Sequence, residues 1–107
     1  MVTEKDNNSD KSITPEQALN IIKAFCSENL PNFILIREYL TPPFWGINYT
    51  QNKIEVILEG DYALQAIIKI SDTKYPLWQF NKELKNHHNI TYENINLILN
   101  NIYNFLK

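Results

Sequence analysis

The sequence predicts an α+β domain: an N-terminal helix, a four-stranded antiparallel β-meander, and two C-terminal helices packed on one sheet face. Three observations predict it. Apolar residues recur with a helical period after Thr14 and again after Thr91. Between Trp45 and Ile70 they alternate with a period of two. Turn-forming pairs, Pro42-Pro43 and Gly60-Asp61 among them, divide the alternating stretch into strands.

Residues 1–12 are polar and charged, with Asn7-Asn8-Ser9-Asp10 in sequence and no apolar period. They are expected to form a disordered tail, followed by a single domain over residues 13–107. Thr14 is a good N-cap, Pro15 suits the first helical position, and Gln17 completes a capping box. Ile13 and Ala18 are placed as a hydrophobic staple. Ala18, Ile21, Ile22 and Phe25 follow i, i+3, i+4, i+7 spacing, so a one-sided helix is expected over 15–28, with Pro31 as its stop.

The run Phe33 to Leu40 is apolar on both faces at first, the pattern of a strand covered on both sides or placed centrally. Thr41-Pro42-Pro43 ends it, because proline cannot donate to a ladder. Trp45, Ile47 and Tyr49 share one face of the next strand, and Gln51-Asn52 is read as its turn. Ile54, Val56 and Leu58 then alternate on the third strand, and Tyr62, Leu64, Ala66, Ile68 and Ile70 on the fourth. The meander is therefore placed over 33–71. Asp72-Thr73-Lys74-Tyr75-Pro76 is read as opening a helix whose inner stripe carries Leu77, Phe80, Leu84 and Asn81. After a break at Asn86–Asn89, Thr91 caps the last helix, with Ile90 and Ile95 in staple positions. Ile95, Ile98, Leu99, Ile102 and Leu106 form its apolar stripe, and Asn94, Asn96, Asn100, Asn101 and Asn104 fall mostly outside it.

Composition narrows the function. The chain has 107 residues, ten Lys and Arg against twelve Asp and Glu, and a formal charge of -2. A domain that grips a phosphate backbone carries a basic face, so direct nucleic-acid binding is not expected. Cys26 is the one cysteine, so no disulfide framework is expected. No apolar leader follows Met1 and no run is long enough to cross a membrane, so a cytoplasmic protein is expected. The abundance of Asn, Ile, Lys and Tyr reflects A/T-rich codons, as in some bacteria and phages.

With only Gly46 and Gly60, the sequence has no glycine-rich phosphate loop, and neither GxSxG nor HExxH occurs. Adjacent His87 and His88 have no second pair of His or Cys at zinc-like spacing, so no metal or cofactor is expected. Cys26 falls in the last turn of its helix, where the dipole disfavours a thiolate, so it is read as a partly buried filler and not a nucleophile.

Two features remain. Glu55, Glu59 and Asp61 form the densest acidic patch, with Glu55 and Glu59 on the same strand face as Ile57. The two Trp, six Tyr and five Phe exceed what the core requires, and Tyr39, Tyr62, Tyr75 and Trp78 are read as interface anchors, with Trp78 near Lys82 and Lys85 by helical spacing. Phe44 and Tyr103 are further candidates for partial exposure. The expected function is protein binding without catalysis. Its most concrete form is an immunity or antitoxin-type inhibitor that neutralises a basic, nuclease-like bacterial toxin domain by charge complementarity. The alternative is a secretion chaperone or adaptor acting as a homodimer. A small ligand-binding or catalytic domain around Cys26 or the histidines carries less weight.

Overall fold

The chain runs α1 (Pro15–Asn29), β1 (Ile34–Thr41), β2 (Phe44–Gln51), β3 (Ile54–Gly60), β4 (Leu64–Ile70), β5 (Thr73–Pro76), two short 3-10 turns, and α2 (Tyr92–Leu106). This is a computed structural model that describes residues 12–86 and 89–107. Residues 1–11 of the predicted tail, and His87 with His88, lie outside the described residues. The five strands form one antiparallel sheet in the order β1-β2-β3-β4-β5, and residues of both helices join its inner face in one core.

The first helix starts as its sequence directs. Thr14 Oγ1 accepts from the Gln17 N–H (3.1 Å) and Gln17 Oε1 accepts from the Thr14 N–H (2.9 Å). Such a box satisfies two orphan donors, and its cap is worth about 1 kcal/mol. The helix closes with the Leu30 N–H on the Cys26 carbonyl (2.9 Å). Its buried face, however, is Ala18, Leu19, Ile22 and Cys26, while Ile21 and Phe25 are half-buried. The helix has two neighbours and not one. Phe25 turns toward α2, meeting Tyr103 edge-on at 6.4 Å, and Cys26 reaches Tyr49 on the sheet.

Trp45, Ile47 and Tyr49 of β2, Val56 and Leu58 of β3, and Leu64, Ala66 and Ile68 of β4 form the inner face and are all buried. The turn between β2 and β3 is Asn52-Lys53 and not Gln51-Asn52, with Gln51 opposite Ile54. Asn52 has φ 58°, a left-handed conformation that asparagine tolerates better than most residues. This moves the register by two residues and sets Trp45 opposite Gly60 where the expected turn would have set it opposite Leu58. The indole occupies the space a side chain at position 60 would need.

The segment expected to begin a third helix is strand β5, which pairs Thr73 with Ile70 and Pro76 with Ile67. Tyr75 precedes a proline and is pushed toward extended backbone, and the edge of β4 supplies its ladder. The 3-10 turns Leu77–Gln79 and Lys82–Asn86 follow. They bury Leu77 and Leu84 but leave Phe80 exposed, with its ring tilted against Tyr75 (5.9 Å) and Phe105 (4.4 Å). Asn81 Nδ2 donates to Asn101 Oδ1 (2.7 Å), tying this segment to α2.

Helix α2 has the predicted cap, Thr91 Oγ1 accepting from the Asn94 N–H at 3.1 Å. Ile95, Ile98, Leu99 and Ile102 are buried and Leu106 is half-buried. Each fully buried side chain of this kind contributes about 1.5–3 kcal/mol. Asn94 departs from the expected polar face. It is buried, and its Nδ2 donates to the Asn89 carbonyl (2.9 Å) just before the helix. Ser12, placed by sequence in the tail, forms an isolated bridge with Thr91.

Candidate interaction surface

The strand expected to be covered on both sides lies at the edge of the sheet. β1 pairs with β2 alone, with a bulge between Leu35 and Arg37, and its outer rim has no strand neighbour among the described residues. Ile34 is 65%, Ile36 52% and Leu40 43% exposed. Leu35 and Leu40 pair with Tyr49 and Trp45, which are buried, so the inner face of β1 projects past the helix layer that covers β2. An ion pair ties α1 to it, Lys23 Nζ to Glu38 Oε2 at 2.9 Å. Its apolar composition therefore belongs to a covered strand, and this chain supplies no cover among the described residues. An exposed apolar edge strand is a site for pairing with another chain.

The outer face of the sheet lies beside this edge. Tyr39 lies over Gly46, with the Arg37 guanidinium 4.8 Å from its ring centre. Tyr39, Phe44, Glu59, Asp61 and Gln65 surround a shallow hollow of about 200 Å³ at the β1–β2 and β3–β4 turns. Phe44 is half exposed there. Asp61 Oδ1 accepts from the Tyr62 and Ala63 N–H groups, which holds the turn and leaves Tyr62 exposed at its tip.

Of the sequence-selected residues, the structure thus brings Tyr39, Glu59 and Asp61 together and places Tyr62 next to them. It separates the others. Glu55 sits four residues along β3 from Glu59, roughly 13 Å away at strand rise. Its charge is already answered: Asn48 Nδ2 donates to it (2.7 Å) and Lys69 Nζ lies 4.0 Å away. Tyr75 and Trp78 lie toward the opposite edge, where Trp78 carries Lys85 at 5.0 Å from its ring centre. Trp78 is on a 3-10 turn and not a helix, yet the expected lysine is beside it. The residues that sequence reasoning missed are Ile34, Leu35, Ile36 and Leu40. Their signal is the two-sided apolar run, which by itself reads as a strand covered within the chain.

Cys26 is buried in the core, 2% exposed. Burial pushes its pKa above the ordinary 9.0, to about 11, although the Tyr49 hydroxyl hydrogen-bonds to it and acts the other way. Burial, with the thiol as neighbour, raises Tyr49 from 10.0 to about 12. Among the described residues no group of three or more His, Cys, Asp or Glu is placed to hold a metal ion. Among them, too, no helix is long and apolar enough to cross a membrane. No protein-family model, curated protein or solved structure matches the chain.

Proposed function

We propose that the chain acts by binding another protein, as an inhibitor of the immunity or antitoxin type, through the β1 edge and the adjoining hollow. The uncovered apolar β1 carries this reading, because both its faces and its backbone rim are open to a partner. Phe44, Tyr39 and Tyr62 supply aromatic anchors, and Glu59 with Asp61 sets a negative rim suited to a cationic toxin domain. Glu55, partnered by Asn48 and Lys69, contributes less than its position in sequence implied. The buried, hard-to-ionise Cys26 favours binding over thiol catalysis. On this reading the protein works in the cytoplasm.

The open edge also bears on the chaperone or adaptor alternative, because β1 can pair with β1 of a second copy. Two-fold antiparallel pairing centred on the charged middle of the strand sets Arg37 opposite its own copy or Glu38 opposite its own copy. Like charges directly opposite are destabilising, which favours a different protein as the occupant. The test is co-expression with the proteins encoded beside it, followed by light scattering. A one-to-one complex with a basic protein, lost in Ile36→Lys and weakened in Glu59→Lys, is expected. A homodimer alone, or a complex indifferent to both changes, contradicts the reading.

A further inference from the structure

A second site lies at the far edge of the sheet, and it is independent of β1. Strand β5 pairs with β4 only from Ile67 to Ile70, so Leu64, Gln65 and Ala66 have no strand neighbour on that side among the described residues. The chain leaves β5 at Pro76 and turns away through Leu77 and Trp78, opening a hollow of about 350 Å³ between β4, the 3-10 turns and α2. Its floor is apolar and buried: Leu64, Ala66, Leu77, Leu84 and Ile98. Trp78 forms one wall and is 38% exposed. Lys85, with its ammonium 5.0 Å from the Trp78 ring centre, is the single charged residue in the lining among the described residues.

These features together define a ligand. The volume falls at the small end of the range for bound small molecules and holds roughly a dozen water-sized atoms. The floor excludes polar groups, because a buried donor or acceptor there would find no partner. Among the described residues the lining offers one positive charge and no negative one, at a wall with an aromatic face. We infer that this hollow binds a small amphipathic anion, an aliphatic carboxylate of about eight to ten carbons, with its chain on the Leu64–Leu84–Ile98 floor and its carboxylate at Lys85.

Decanoate is the probe, and Trp78 is the reporter, since Trp45 is fully buried in the core and away from this lining. Decanoate is expected to change the tryptophan emission saturably with one site per chain. Each methylene removed from the probe should weaken binding about fourfold, the value of a buried methylene. Lys85→Gln, at an exposed position whose loss should not affect folding, should weaken decanoate roughly two- to fivefold, the size of a rim ion pair. Methyl chemical shifts of Leu64, Leu84 and Ile98 should move on titration and those of Ile22 should not. Absence of saturation at about 5 mM decanoate overturns the proposal. So does equal affinity for decyltrimethylammonium, an unchanged affinity in Lys85→Gln, or shifts centred outside the hollow.

Discussion

Trp45 and Gly60 set the register of the central hairpin, and a single methyl group tests that claim. Gly60 faces Trp45 across the β2–β3 ladder, and a Cβ added at position 60 falls in hard contact with indole Nε1, Cε2 and, at 2.6 Å, Cζ2. The indole is 0% exposed and packed on every side, so it has nowhere to move. Overpacking of this kind costs about 1–3 kcal/mol, against an intrinsic gain of roughly 0.5–1 kcal/mol for replacing glycine in a strand. Gly60→Ala is expected to destabilise by about 1–2 kcal/mol net, a fall of roughly 5–10 °C in Tm at this chain length. Gly46→Ala is the internal control. Its Cβ also meets a ring, but the atoms are Cζ, Cε1 and Oη of Tyr39, at the far end of a half-exposed side chain that can swing off the edge. That variant is expected to stay within about 0.5 kcal/mol of the parent. The assay is urea unfolding followed by circular dichroism, with the slope checked for constancy. Equal effects at the two glycines, or a neutral Gly60→Ala, would refute the register argument.

Other outcomes follow from the same contacts. At pH 8 a thiol of pKa about 11 has roughly a hundredth of the thiolate of one at the ordinary 9.0, so Cys26 should react with a disulfide reagent at least a hundredfold more slowly in the native protein than in urea; comparable rates would show the thiol to be accessible. Because Cys26 and Tyr49 both ionise less readily when folded, their contribution to stability is complete below about pH 9 and is lost as pH rises through about 11 and 12. Urea midpoints should therefore fall from pH 9 upward, and a rise there would contradict the sign. Thr91→Ala removes the α2 cap and should cost about 1 kcal/mol by the same urea assay, whereas Ile36→Lys on the exposed edge should cost less than about 0.5 kcal/mol.

Both α-helices were legible in the sequence because their signals are local. Thr14 with Gln17, and Thr91 with the Ile95–Ile102 stripe, need no knowledge of distant partners. The alternation of Trp45 to Tyr49 and Val56 to Leu58 likewise gave the inner face. The segment after Asp72 was less legible, because Leu77, Phe80 and Leu84 have helical spacing while Thr73 to Pro76 find a ladder on the β4 edge, a non-local option. The hairpin register is hard to read for a similar reason: either turn keeps the same residues inside, and the choice rests on left-handed Asn52 and on the bulk of Trp45 against Gly60. The site divided along the same line. Glu55, Glu59 and Asp61 are close in sequence, but cross-strand neighbours Asn48 and Lys69 answer Glu55 and leave Glu59 with the aromatics. Periodicity showed that Ile34 to Leu40 wanted cover; it carried no information on whether this chain or another provides it.

The most direct test of that last point is to co-express the protein with its encoded neighbours and, on the complex expected with a basic protein, to compare amide hydrogen exchange with that of the protein alone. The account predicts that protection appears on complex formation at the amides of β1, Ile34 to Leu40, and around Phe44 and Glu59, while α2 is unchanged. Protection confined to α2 or the 3-10 turns, with β1 still exchanging as in the free chain, would contradict it.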